Sequence, residues 1–149
     1  MIQDIRNFLK LTEKLSTSGM PKPEEFKELS ASGVKFVVNL ATPKSEDWIR
    51  SESNLVADSG MKYLSIQVDW ENPTQKNLLD FMDAMDVHKN EKIHVHCQAN
   101  FRATAFVSLY QILRLGMKRE DVFPNLHKIW NPDEYPIWKK FIEDNLPKS

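Results

Sequence analysis

Cysteine is almost missing from this chain: Cys97 is the single one in 149 residues. One thiol excludes an intrachain disulfide and any zinc site built from several cysteines, and it fits a reducing compartment. An excess of either charge is missing too. Twenty basic against 21 acidic residues leave a formal net charge of −1, which gives no electrostatic footprint for nucleic acid or an anionic membrane. The partner implied is a small or local anion. No segment approaches the roughly 18 to 20 apolar residues of a membrane span. The opening stretch, MIQDIRNFLKLTEKLSTSG, is interrupted by Asp4, Arg6, Lys10, Glu13 and Lys14, unlike the apolar run of a secretory signal. A soluble, cytoplasmic protein is expected. Repeats, linkers and low-complexity tracts are also lacking. With 41% hydrophobic and 28% charged residues, residues 1–149 are expected to form one domain around a single core.

What is present alternates between extended apolar runs and amphipathic stretches, the pattern of successive β-α units on a parallel sheet. VKFVVNLA, Val34 to Ala41, is nearly continuous in apolar residues, as in a strand covered on both faces. MKYLSIQVD, Met61 to Asp69, alternates through Leu64, Ile66 and Val68, and KIHVHC through Ile93, Val95 and Cys97. Helices are predicted over KPEEFKELSASG, SEDWIRSESNLVADSG and NPTQKNLLDFMDAMDVHKN, each with apolar residues at helical spacing. The stretch after Cys97, with Ala103, Ala105, Phe106, Val107, Leu109, Tyr110, Ile112, Leu113 and Leu115, has almost no polar face and is predicted to be a buried helix. Two more helices are expected in KREDVFPNLHKIW and YPIWKKFIEDNL, packing through Trp130, Trp138, Phe141 and Ile142. The expected fold is a three-layer α/β domain with a mainly parallel central sheet of four to five strands flanked by helices.

Cys97 thus falls at the carboxyl end of a predicted parallel strand, where open α/β sheets bind ligands. The helix starting near Arg102 aims unpaired amides and the positive end of its dipole at the loop CQANFR, which favours both a thiolate and a bound oxyanion. Arg102 adds a guanidinium fork that matches two oxygens of a phosphoryl group. The loop has no glycine, and Asn100 is the residue in it that best tolerates a positive φ. The plain alternative for Cys97 is inert packing. Asp69 closes the preceding predicted strand. If the two strands are parallel neighbours, Asp69 and Cys97 reach the same sheet edge, where a carboxylic acid can protonate a leaving oxygen. Its alternative is a turn-capping aspartate.

At these residues the sequence resembles the tyrosine and dual-specificity phosphatase superfamily. The likeness is strongest to its bacterial branch of small phosphatase-like domains, a type also fused to some metallo-β-lactamase-like hydrolases. The resemblance runs from about Lys14 to Gly116 through STSGMPKPEEFKEL, GVKFVVNL, VDWENPT and HVHCQANFRATAF. It implies a cysteine-dependent phosphohydrolase acting on a phosphorylated small molecule or a phosphoprotein, with no metal or organic cofactor. By that resemblance Cys97 is the nucleophile and Arg102 the phosphate clamp. Gln98, Ala99, Asn100 and Phe101 form the amide-lined phosphate-binding loop, and Asp69 is the general acid. Two departures stand out. Four residues separate Cys97 from Arg102, where the superfamily usually has five, and Ala103 replaces the usual hydroxyl residue after the arginine, with Thr104 one place later. The short loop is also similar to that of rhodaneses, whose cysteine carries a persulfide. A third reading is a catalytically silent domain that only binds oxyanions.

Other residues carry weaker expectations. His94 and His96 share a strand face but lack a third ligand at metal spacing, so structural roles are expected, with His96 bonding near the loop. Trp70 is read as either an aromatic pocket wall or a packing residue. Lys44 and Arg50 either add positive charge near the site or face solvent. KIWNPDEYPIW is expected to clamp the core.

Overall fold

The computed structural model describes residues 1–148. Among these residues five strands form one sheet: β1 (Leu9–Thr12), β2 (Leu15–Ser18), β3 (Phe36–Asn39), β4 (Lys62–Ser65) and β5 (Ile93–His96), in the order β1-β2-β5-β3-β4. β2, β5, β3 and β4 run parallel, and β1 closes one edge antiparallel to β2. The helices are α1 (Glu25–Ala31), α2 (Glu52–Asp58), α3 (Gln75–Val87), α4 (Phe101–Leu113), α5 (Arg119–Leu126) and α6 (Pro136–Asn145). None is long and apolar enough to cross a membrane.

Alternation along the strands sorts the two faces. Phe36, Val38, Ile93 and Val95 meet Leu78, Phe81, Phe106 and Trp138 of α3, α4 and α6 in the larger core. Val37 turns the other way, toward Phe26 and Leu29 of α1 and Val56 of α2. Helices on both faces of a mostly parallel sheet make three layers, as the sequence pattern predicts. α4 is the helix without a polar face, and eleven of its thirteen residues are buried. It lies between the sheet and the helices behind it.

Three expectations need correction. The strand read as running to Asp69 ends at Ser65. Beyond it the chain crosses the end of β3, where the Ile66 and Val68 amides bond Asn39 and Leu40 carbonyls at 2.9 and 3.2 Å. The Asp69 strand and the Cys97 strand are not neighbours either, since β3 lies between β4 and β5. The helix expected from Ser45 begins at Glu52. After Pro43 the backbone takes successive tight turns instead, Ser45 to Thr42, Trp48 to Ser45 and Glu52 to Ile49. Trp48 and Ile49 still pack on the core, but as loop residues.

Candidate active site

The central strand sets the site. β5 ends at His96, Cys97 follows, and α4 starts at Phe101, so the connection between sheet and helix is the four-residue stretch Cys97 to Asn100. That turn closes through Asn100 at φ 72° and ψ 8°, the left-handed conformation expected of it in a loop without glycine. The amides of Phe101, Arg102 and Ala103, in the first turn of the helix, have no intrahelical acceptor and point back toward the loop. Packing against the loop is tight. A Cβ on Gly19 would stand 2.5 Å from the Gln98 carbonyl oxygen, so only glycine fits there without moving the backbone.

A cavity of about 380 Å³ opens over this turn. Cys97, Gln98, Ala99 and Arg102 line its floor, and Phe101, Asp69, Trp70 and Lys44 contribute to its walls. Cys97 is 1% exposed, at the bottom. Asn100 does not line the cavity; it is buried and spends its side-chain amide on Asn7 O and Thr17 Oγ1, at 2.8 and 3.0 Å. Arg102 is 6% exposed, and its Nη1 donates to the Val68 carbonyl at 2.8 Å. That bond fixes the guanidinium plane and anchors the backbone immediately before Asp69. It explains how Asp69 reaches the cavity even though its strand is not adjacent to β5.

Asp69 Oδ1 accepts the Glu71 N–H at 2.9 Å, and Lys44 Nζ stands 3.6 Å from Oδ2. The Glu71 amide first, then Lys44 and Arg102, hold the Asp69 carboxyl below its ordinary value. At rest it is a carboxylate. Glu71 also lines the cavity, and Arg50 is exposed and outside the lining. Trp70 serves in both of the ways read for it. It lines the cavity, and its ring stacks on Trp138 at 5.3 Å and meets Tyr135 edge-on at 5.4 Å. Trp138 Nε1 donates to the Trp70 carbonyl at 2.7 Å, so the carboxy-terminal segment holds the loop that carries Asp69.

The displaced hydroxyl has its own job. Thr104 Oγ1 donates to the Asn100 carbonyl at 2.7 Å and accepts Trp130 Nε1–H at 2.9 Å. It pins the loop to the indole. Both strand histidines are buried in hydrogen bonds: His94 between Ser16 and Ser18, each at 2.7 Å, and His96 against Glu52 Oε2 at 2.6 Å, with Nδ1 3.3 Å from Cys97 O. Residues that spacing did not reveal come from the amino-terminal segment. Met20 N–H and Arg6 Nη1 donate to Gln98 O at 2.9 and 3.3 Å. Their sequence distance of some eighty to ninety residues from the loop hides them; the resemblance to phosphatases in STSGMPKPEEFKEL covers Met20, and no signal in the sequence marks Arg6.

A buried cysteine stands at the carboxyl end of a central parallel strand, in a turn capped by a helix and an arginine, on a phosphatase-like fold. Residues 5–115 match the family described as polymorphic toxin system, DSP-PTPase phosphatase, and the chain belongs to that family. It is similar in structure to a DUF442 phosphatase candidate from Shewanella putrefaciens CN-32, with 36% identity and a TM-score of 0.86 over 97% of this chain and 93% of that one. Pseudomonas aeruginosa TpbA, solved as a cysteine-to-serine variant in complex with pTyr, shares the fold at 14% identity, with a TM-score of 0.72 over 91% of this chain and 82% of that one. The β-lactamase hydrolase-like protein of Agrobacterium fabrum strain C58 is 26% identical over 118 residues, 76% of this chain and 27% of that protein. The chain spans just over a quarter of the length of the curated relatives it matches.

Proposed function

We propose that the protein hydrolyses phosphomonoesters through a cysteinyl-phosphate intermediate, and that residues 1–149 form a single cysteine-dependent phosphatase-like domain. The observation that carries this reading is the single cavity lined by Cys97, the turn behind it, Arg102 and Asp69. The Cys97 thiolate attacks phosphorus in line with the leaving oxygen. Loop amides from Gln98 to Phe101 and the Arg102 fork stabilise the three equatorial oxygens. Asp69 gives its proton to the departing oxygen. Water then attacks the phosphocysteine, the Asp69 carboxylate takes its proton, phosphate leaves and the thiolate returns.

Trp70 and Phe101 form aromatic walls above the loop, which suits a flat aryl group and supports phosphotyrosine, or a small aryl phosphate, as the substrate. The pTyr bound by TpbA, on the same fold, agrees with that assignment. Because the Thr104 hydroxyl is committed to Asn100 and Trp130, it does not assist departure of the thiolate, and release of phosphate from Cys97 is the slow step.

The test is p-nitrophenyl phosphate hydrolysis by wild type and Cys97→Ser, with thiosulfate-to-cyanide sulfur transfer run beside it. Phosphatase activity in wild type that is abolished in Cys97→Ser is the expected result. Sulfur transfer alone would instead assign the short loop to persulfide chemistry, and inactivity in both assays would leave an oxyanion-binding domain.

A further inference from the structure

A turn of four residues can present its amides to an anion only if the neighbouring carbonyls point elsewhere, because a carbonyl oxygen facing a phosphate repels it. Each carbonyl here has a partner outside the cavity. Cys97 O lies 3.3 Å from His96 Nδ1, and Gln98 O accepts Met20 N–H at 2.9 Å and Arg6 Nη1–H at 3.3 Å. Asn100 O accepts Thr104 N–H and Oγ1–H, at 3.1 and 2.7 Å. Each of these carbonyls has at least one backbone, helical or adjacent-residue contact. Ala99 differs: among the described residues its carbonyl has one donor, the side-chain amide of Asn7, at 3.0 Å.

The contact is reciprocal. Asn100 Nδ2 donates to the Asn7 carbonyl at 2.8 Å, and both asparagines hold positive φ, 50° at Asn7 and 72° at Asn100. Residues other than glycine keep that conformation where their surroundings fix it. Two left-handed asparagines, 93 positions apart, each bond the backbone of the other's segment. The pair ties the chain before β1 to the turn that caps α4, in a loop that contains no glycine to relax into shape.

We propose that Asn7 is a positioning residue for the anion-binding turn: its amide draws the Ala99 carbonyl outward so that the turn's amides face phosphate. The proposal rests on the phosphate reading of the Cys97 site. Losing one such hydrogen bond weakens phosphate binding about three- to tenfold. Glycine at position 7 keeps the positive φ without the amide, and aspartate keeps the shape without the donor.

Inorganic phosphate is titrated calorimetrically into Cys97→Ser and into the same protein carrying Asn7→Gly or Asn7→Asp. Thermal melts of each are recorded, together with p-nitrophenyl phosphate kinetics of the single variants in the Cys97 protein. Weaker phosphate binding by that factor in both variants is expected, with a raised KM and a melting temperature close to the parent's. Parental affinity in a folded Asn7→Gly or Asn7→Asp protein overturns the assignment. So does loss of the fold in both variants, which would make Asn7 a folding residue. No phosphate binding by the Cys97→Ser parent would overturn the underlying site reading itself, a result distinct from either.

Discussion

Asp69 rests in the charge state opposite to the one its proposed role needs. The Glu71 amide, Lys44 and Arg102 all favour the carboxylate, whereas a general acid must carry a proton when the leaving oxygen departs. The consequence is an acidic optimum, because kcat/KM falls as rising pH deprotonates Asp69. The sign of a second effect follows. Lys44→Gln removes a cation 3.6 Å from Oδ2, so the carboxyl pKa rises and the alkaline limb of the profile moves to higher pH. Lys44→Arg leaves it in place. Asp69→Asn removes that limb and lowers the rate for poor leaving groups on the order of 10² to 10⁴-fold. A pH–rate profile of the three variants checks this, and a limb that survives in Asp69→Asn moves the acid to Glu71. Residue types near Cys97 were legible because CQANFR keeps cysteine, αL-tolerant asparagine and arginine within one turn. Lys44 was visible only as a charge, since nothing in its spacing says that the loop after β3 folds over the β4–α3 connection.

The seam between β2 and β5 shows why one element went unseen and what it contributes. LSTS has no apolar alternation to mark a strand, yet all four residues are buried. The polar side chains are there for His94. Ser18 Oγ–H donates to the Gly19 carbonyl and so accepts Nε2–H, which leaves Nδ1 to accept Ser16 Oγ–H. His94 is therefore neutral, and burial pushes its pKa down to about 3. Unfolded, it titrates near the ordinary value of 6.5, so as pH falls the unfolded chain binds a proton that the native chain refuses. Stability tied to His94 is complete above that value and is lost as the solution acidifies toward about 3. Urea unfolding should show a loss of about 2 kcal/mol between about pH 7.5 and about pH 5. His94→Gln should flatten that slope, and an equal slope in both proteins would contradict the account. β3 and β5 announced themselves because their apolar positions are their burial code. β1, of four residues at an exposed edge, did not.

On the scale of the molecule, the ends of the chain converge on the turn at its centre. From one side come Arg6, Asn7 and Gly19. From the other, Trp130 stacks on Phe101 at 4.8 Å and bonds Thr104, while Trp138 holds Trp70. The layers were readable from periodicity, which reports what each element buries. Strand order was not, because the β3 insertion between β4 and β5 leaves no mark on local pattern, and that is why Asp69 reaches the cavity by a route other than the one expected. KIWNPDEYPIW clamps the core as its composition suggests, and its second role, as support for Phe101 and Trp70, depends on contacts that only folding creates. The central claim is that phosphorus becomes bonded to Cys97, and it is tested most directly by trapping that bond. Wild type and Asp69→Asn are mixed with p-nitrophenyl phosphate, quenched in acid within the first turnover, and weighed intact and after proteolysis. The account predicts a burst of p-nitrophenol and one phosphoryl group on the peptide containing Cys97, persisting longer in Asp69→Asn. Hydrolysis with no phosphorylated peptide in either protein would contradict it.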